Sequence, residues 1–278
     1  MPRAHVVLVH GLRTSATMWR RQVAAFAHHG IDAVAVDLPG HGTRMGEPFS
    51  VEAAMRVIDE AFPADSESDS GSGFDSGSDA VAPGSGRTPR LLVGLSLGGY
   101  LGIEYAATHP GRIDGLVAAS CGTRPRGAGL AGYRRLADAI GRLPDRGRAL
   151  NDLMVRVFLP RESVADVLAG GVALDVMEPV LTAVAALDPE DALARIDVPV
   201  WLVNGRFDHF RIEERRMLRA TRDGRLVVVP GATHLVSLAR PEEFTAAVLG
   251  AVAELERRAS VSRRRTAAAG ERPAATAG

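Results

Sequence analysis

The sequence predicts an α/β fold: a mostly parallel sheet of about six strands, covered by helices on both faces, with a helical insertion. Three observations predict it. Short apolar runs alternate with helix-period stretches along most of the chain, which is the pattern of parallel strands joined by crossover helices. One of those runs, Leu91 to Gly94, ends in Gly94-Leu95-Ser96-Leu97-Gly98, a G-x-S-x-G turn leading straight into a helical pattern. Between about Cys121 and Arg195 the alternation lapses and only helical patterns remain.

His5 to Val9 (HVVLV) is a continuous apolar run stopping at His10-Gly11, as a buried parallel strand would. Thr17 to His29 carries Met18, Trp19, Val23, Phe26 and Ala27 at near-helical spacing, with Gly30 placed as a C-cap. Ile31 to Val36 is the second strand, followed by the breaker-rich DLPGHG loop of Asp37 to Gly42. Ser50 caps a helix reaching Phe62, with Val51, Ala54, Met55 and Ile58 on one face.

From 64 to 89 the composition collapses into Ser, Gly, Asp and Pro. Such a stretch buries too little apolar surface to offset its ordering entropy and is expected to be a disordered acidic loop, solvated rather than a partner-docking segment. After the third strand and the elbow, a helix runs to about Thr108, and Ile113 to Ala119 forms strand four. In the insertion, Leu150, Leu153, Met154, Val157 and Phe158 form one apolar stripe on a helix from Arg148 to Phe158. Strand five is Val198 to Asn204 and strand six Arg225 to Val229, with a helix carrying Glu213 to Leu218 between them. A last helix starts at Pro241 and is expected to end near Leu255. The organisation predicted is a core of 1–121 and 196–256, an inserted helical cap over 122–195, and a disordered tail over 257–278. The tail's arginines lack interleaved aromatics and do not point to nucleic acid.

Composition narrows the function. The 278 residues carry 33 basic and 33 acidic side chains, so no global field favours nucleic acid or an anionic membrane. The single cysteine, Cys121, allows no internal disulfide, and no closely spaced Cys/His set offers a zinc site. No uncharged apolar run reaches membrane-spanning length, and the amino-terminal run is too short for a signal peptide. A cytoplasmic protein without metal or organic cofactor is expected.

In a parallel sheet the working residues lie just after strands. A serine hydroxyl needs a base to take its proton and a carboxylate to orient that base. His234 follows strand six in the loop VPGATH, and Asp208 follows strand five in NGRFD. Asp37, after strand two, is the rival acid, and His209 is the rival base. His10 and His41 are expected to brace loops.

The pieces VLVHGLRTSATMW, DLPGHG, GLSLGG, NGRFD and PGATH, spread over residues 5–255, together resemble a single-chain α/β-hydrolase of the esterase, lactonase and perhydrolase group. The order Ser96, Asp208, His234 is that family's order. The resemblance implies an α/β-hydrolase fold lacking the family's first two strands. It also implies catalysis by Ser96, Asp208 and His234, with an oxyanion hole at the N–H groups of Leu12 and Leu97, acting on a small-molecule ester, lactone or thioester. Arg13, Arg124 and Arg126 are candidates to hold a substrate carboxylate, as in the enol-lactonases that the start resembles. Ser96 argues against epoxide hydrolases and dehalogenases, which use aspartate. Carbon–carbon bond hydrolysis, perhydrolysis and a non-catalytic binding member of the fold are the alternatives; Leu235 and Val236 stand where carbon–carbon hydrolases usually have an aromatic residue.

Overall fold

A computed structural model describes residues 2–64 and 87–270. Six strands form one sheet: β1 (His5–Val9), β2 (Asp32–Val36), β3 (Arg90–Leu95), β4 (Gly115–Ala119), β5 (Val200–Gly205) and β6 (Gly224–Val229), in the order β2-β1-β3-β4-β5-β6. Every pairing is parallel, so the carboxyl ends of all six strands open on the same side.

Alternate strand residues feed two cores. Val7, Val9, Leu92, Leu116 and Leu202 point to the face covered by α2 (Val51–Glu60) and α3 (Leu97–Thr108). Val6, Leu8, Leu91, Val93 and Trp201 point to the face covered by α1 (Arg20–His28) and the last helix. Because the side-chain period of a strand is two, strands buried on both faces read as unbroken apolar runs, which is why they are visible in the sequence. The caps behave similarly: Ser50 Oγ accepts the Ala53 N–H at 3.1 Å and starts α2. β2 is left as one edge of the sheet, with Val34 43% exposed and no described strand on its outer side.

Between β4 and β5 lie α4 (Gly127–Gly141), α5 (Arg148–Phe158), α6 (Arg161–Ala169), α7 (Met177–Ala185) and α8 (Pro189–Arg195). Two expectations about this stretch change. The helix α8 packs on α3 and on α9 (Glu214–Ala220), with Ala192 and Leu193 fully buried, so it belongs to the layer covering the sheet and not to an inserted cap reaching 195. The apolar stripe of α5 is present, but it faces outward: Leu153, Met154, Val157 and Phe158 are exposed, and of this helix only Val155 is buried.

Two further differences concern the chain's less regular parts. After the short helix α10 (Val236–Ala239), the last helix, α11, runs from Pro241 to Gly270, so residues 257–270 are helical where a disordered tail was expected. Arg258 there pairs with Glu254 and Asp223, an i,i+4 pair plus a tertiary one. The acidic stretch expected over 64–89 lies, apart from its ends, outside the described residues. At its far end Arg87 is fixed by Asp114 at 2.9 Å.

Candidate active site

Ser96 sits between β3 and α3 with φ 54° and ψ −110°, a positive-φ conformation that only a tightly held turn keeps. The flanking glycines are required by contact. A Cβ on Gly94 would lie 2.0 Å from the Gly98 carbonyl oxygen, and one on Gly98 would lie 2.3 Å from the Val9 carbonyl oxygen. Strand, turn and neighbouring strand thus touch backbone to backbone, and Ser96 N–H donates to Ala119 O at 2.8 Å. The hydroxyl is left facing the carboxyl end of the sheet.

His234 arrives from the loop after β6 and Asp208 from the loop after β5. These two loops are clasped: Phe207 N–H donates to Ala232 O at 2.9 Å, Arg206 N–H to Val229 O at 3.0 Å, and a Cβ on Gly205 would strike Thr233 O at 2.3 Å. The clasp brings the side chains together. His234 Nδ1 lies 3.0 Å from Asp208 Oδ1, and His234 Nε2 lies 3.0 Å from Ser96 Oγ. Since the carboxylate only accepts, Nδ1 carries the proton and Nε2 offers its lone pair to the serine hydroxyl.

The Asp208 side chain is fully buried. Burial works against its charge, but the hydrogen bond and attraction of His234, the Phe210 N–H at 2.8 Å and the Ser120 hydroxyl outweigh it and hold the carboxyl below the usual range. Ser120 Oγ and Asp208 Oδ2 are both buried without a hydrogen bond of ordinary geometry.

The rival acid Asp37 and the loop histidines His10 and His41 have other partners. Asp37 accepts from Ala16 N–H at 2.7 Å, Thr43 N–H at 2.9 Å and Thr43 Oγ1 at 2.8 Å, tying two loops together. His209 is exposed, its ring centroid 5.4 Å from that of His234. His10 is fully buried; Leu38 N–H donates to its Nε2 at 3.0 Å, and its Nδ1–H donates to Gly11 O at 2.8 Å. Burial pushes its pKa down to about 3, and likewise lowers that of His41, whose ring lies 4.8 Å away.

The remaining sequence candidates divide. Leu97 is the first residue of α3, so its N–H has no intrahelical acceptor. The loop carrying Leu12 runs beside Ser96: a Cβ on Gly11 would be 3.5 Å from Ser96 Cβ, and Gly98 N–H donates to His10 O at 3.2 Å. Arg124 is held by Glu213, with Nε to Oε1 at 2.7 Å, and Arg126 by Asp188 at 3.3 Å. Arg13 has no such partner among the described residues.

Sequence reading missed the support of the Asp208 loop. Ser120 N–H donates to Asn204 Oδ1 at 3.1 Å, Asn204 Nδ2 donates to Glu214 Oε2 at 2.9 Å, and Arg211 Nε donates to the same oxygen at 2.9 Å. Phe210 lies over the candidate base, its ring centroid 4.7 Å from that of His234. The one signal in the sequence was the polar residue at the end of an apolar strand, Asn204 in VWLVNG and Ser120 after GLVAA.

Residues 6–247 match the alpha/beta hydrolase family, and the chain belongs to it. It is a hydrolase-class enzyme by that membership. Among its relatives, pimeloyl-acyl-carrier-protein methyl ester esterase of Neisseria meningitidis serogroup C is 30% identical over 229 residues, covering 76% of this chain and 79% of the relative. The enzyme of the same name from Cronobacter sakazakii is 26% identical, covering 91% of this chain and 95% of its own. Of solved structures, a thermophilic esterase from Thermogutta terrifontis superposes with a TM-score of 0.68 at 21% identity, over 91% of this chain and 90% of that one. The enol-lactonase of Burkholderia xenovorans LB400 gives 0.60 at 20% identity, over 89% and 90%. At such identities these structures speak for the fold. Among the described residues no helix is long and apolar enough to cross a membrane.

Proposed function

We propose that this protein hydrolyses a carboxylic ester, lactone or thioester through an acyl-enzyme on Ser96. The observation that carries the reading is the hydrogen-bonded chain Ser96 Oγ, His234 Nε2, His234 Nδ1, Asp208 Oδ1, with both links at 3.0 Å. The relatives named as methyl ester esterases support an ester over other acyl compounds.

Each residue then has one task. Ser96 Oγ adds to the substrate carbonyl while its proton passes to His234 Nε2. Asp208 keeps Nδ1 protonated and stabilises the imidazolium that forms. The carbonyl oxygen becomes an oxyanion facing the N–H groups of Leu12 and Leu97; such donors typically contribute about 3–4 kcal/mol each to the transition state. Collapse expels the alcohol or thiol, which takes the proton back from His234. A water molecule, deprotonated by the same ring, then cleaves the acyl-enzyme and frees Ser96. The side chains of α4 to α7 select the acyl or alcohol group.

The test uses short p-nitrophenyl esters and a fluorophosphonate probe on the wild type and Ser96→Ala. The wild type should label and turn over, and the variant should lose turnover by roughly a million-fold with no labelling. Equal turnover in Ser96→Ala would end this reading.

A further inference from the structure

Helix α5 turns its apolar stripe away from the protein. Of the twelve large apolar side chains left exposed among the described residues, seven fall between Leu136 and Phe158, on α4, α5 and the turn joining them. Within α5, Leu150, Leu153, Met154, Val157 and Phe158 recur at the i, i+3, i+4 spacing that gathers side chains on one side of a helix, and Val157 is 63% exposed. Single apolar side chains on a surface are ordinary; five in one stripe mark a surface that is covered in use.

The same stretch breaks the electrical balance of the chain. The whole sequence carries 33 basic and 33 acidic residues, yet residues 127–158 hold six arginines against three aspartates and no glutamate, a net charge of +3. Two of the arginines are engaged: Arg146 pairs with Asp175, and Arg134 Nη2 donates to Thr182 Oγ1 at 2.6 Å. One of the aspartates, Asp145, is spent on the start of α5, accepting from Gly147 N–H at 3.0 Å and Ala149 N–H at 2.6 Å. Arg135, Arg142, Arg148 and Arg156 are exposed and form no ion pair among the described residues.

This combination selects the occupant. A second copy of the chain, docked by the same face, would set these arginines against their own equivalents, and like charges across an interface repel. An apolar stripe flanked by long cations instead fits a partner whose anionic groups and apolar interior lie in successive layers, since arginine stems follow apolar surface while their guanidinium groups reach outward to phosphate. We propose that α5, with the turn that leads into it, docks on an anionic lipid bilayer. The stripe enters the boundary between headgroups and acyl chains by about 5–10 Å, and Arg148 and Arg156, with Arg142 in the turn, meet the lipid phosphates. Such a helix lies on the membrane and does not span it. The proposal concerns binding and holds whether or not Ser96 turns over an ester.

The experiment measures flotation of the whole protein with vesicles of phosphatidylcholine alone, or of equal parts phosphatidylcholine and phosphatidylglycerol. The proteins compared are the wild type, Val157→Ser/Phe158→Ser, Arg148→Gln/Arg156→Gln and the control Val261→Ser, which removes an exposed apolar group from α11. The wild type and the control should bind the anionic vesicles at least roughly tenfold more tightly than the neutral ones, and high salt should weaken that binding. Each double variant should lose roughly tenfold or more in affinity for the anionic vesicles while keeping the wild-type Tm, because the substituted side chains are exposed.

A fluorescent label locates the contact. Cys121 is buried, so an environment-sensitive thiol dye reports from Leu153→Cys, and its emission should shift to the blue with anionic vesicles, while a dye at Val261→Cys should not respond. Absence of vesicle binding overturns the proposal. So does binding that survives in Val157→Ser/Phe158→Ser, which would mean attraction by charge alone. A concentration-dependent dimer abolished by the same variant, with no vesicle uptake, would assign the stripe to a second copy and overturn it as well.

Discussion

Gly98 and Val9 are in backbone contact: the space a Cβ on Gly98 would need is taken by the Val9 carbonyl oxygen, 2.3 Å away. The contact joins the turn that presents Ser96 to the strand that leads into the Leu12 loop. The two halves of the site are therefore fixed to each other before any substrate binds.

Gly98→Ala should accordingly be among the most damaging small substitutions. The obstructing atom belongs to a central strand and cannot swing aside, so we expect a loss of about 2–3 kcal/mol, as for other overpacked sites. Urea unfolding measures it; a change under about 0.5 kcal/mol would show that the turn relaxes freely.

Asp208→Asn keeps the shape of the side chain but offers His234 an amide in place of a carboxylate. The ring is then free to adopt the wrong tautomer, and kcat should fall by about 10³- to 10⁴-fold with little change in KM. Steady-state kinetics on a p-nitrophenyl ester decides it, and a loss below about tenfold would show that Asp208 does not orient the base.

Glu214 acts one step further out, through Asn204 and Arg211 on the loop that carries Asp208. Glu214→Gln leaves Arg211 without its counter-charge and loosens that loop, so kcat should drop by roughly tenfold while KM holds. As a positioning residue it should leave fluorophosphonate labelling slow but complete. A fall in stability with unchanged kcat would instead mark it as purely structural.

His10 makes stability depend on acidity. Its folded pKa is lowered, from the ordinary 6.5 to about 3, by burial. Above 6.5 both states are neutral and its contribution is fully present; as pH falls, the unfolded chain takes up a proton that the folded one refuses, and stability is lost until about pH 3. Near pH 4.5 that loss should reach about 2–3 kcal/mol. Unfolding by urea between about pH 7.5 and pH 4.5 gives the slope, which His10→Gln should flatten.

The strands and the order Ser96, Asp208, His234 were legible because each depends on neighbours in the chain. Strands buried on both faces show as unbroken apolar runs, and a turn without room for a Cβ shows as glycine at fixed spacing. The acid and base could be chosen from their places after strands five and six, because a parallel sheet gathers those loops at one end.

Tertiary structure decided what depends on residues distant in sequence. The α5 stripe reads the same whether it faces a core or solvent, since periodicity defines a face without saying what lies against it. The last helix outruns its apolar pattern, and Arg258 on that extension meets Asp223, a partner brought to it by the fold. The three arginines Arg13, Arg124 and Arg126 looked alike in the sequence, and Glu213 and Asp188 separated them by occupying two. The sequence determined the fold and named the triad candidates through local pattern; whether a charge is satisfied or waiting was set by folding, because a counter-ion is a neighbour in space.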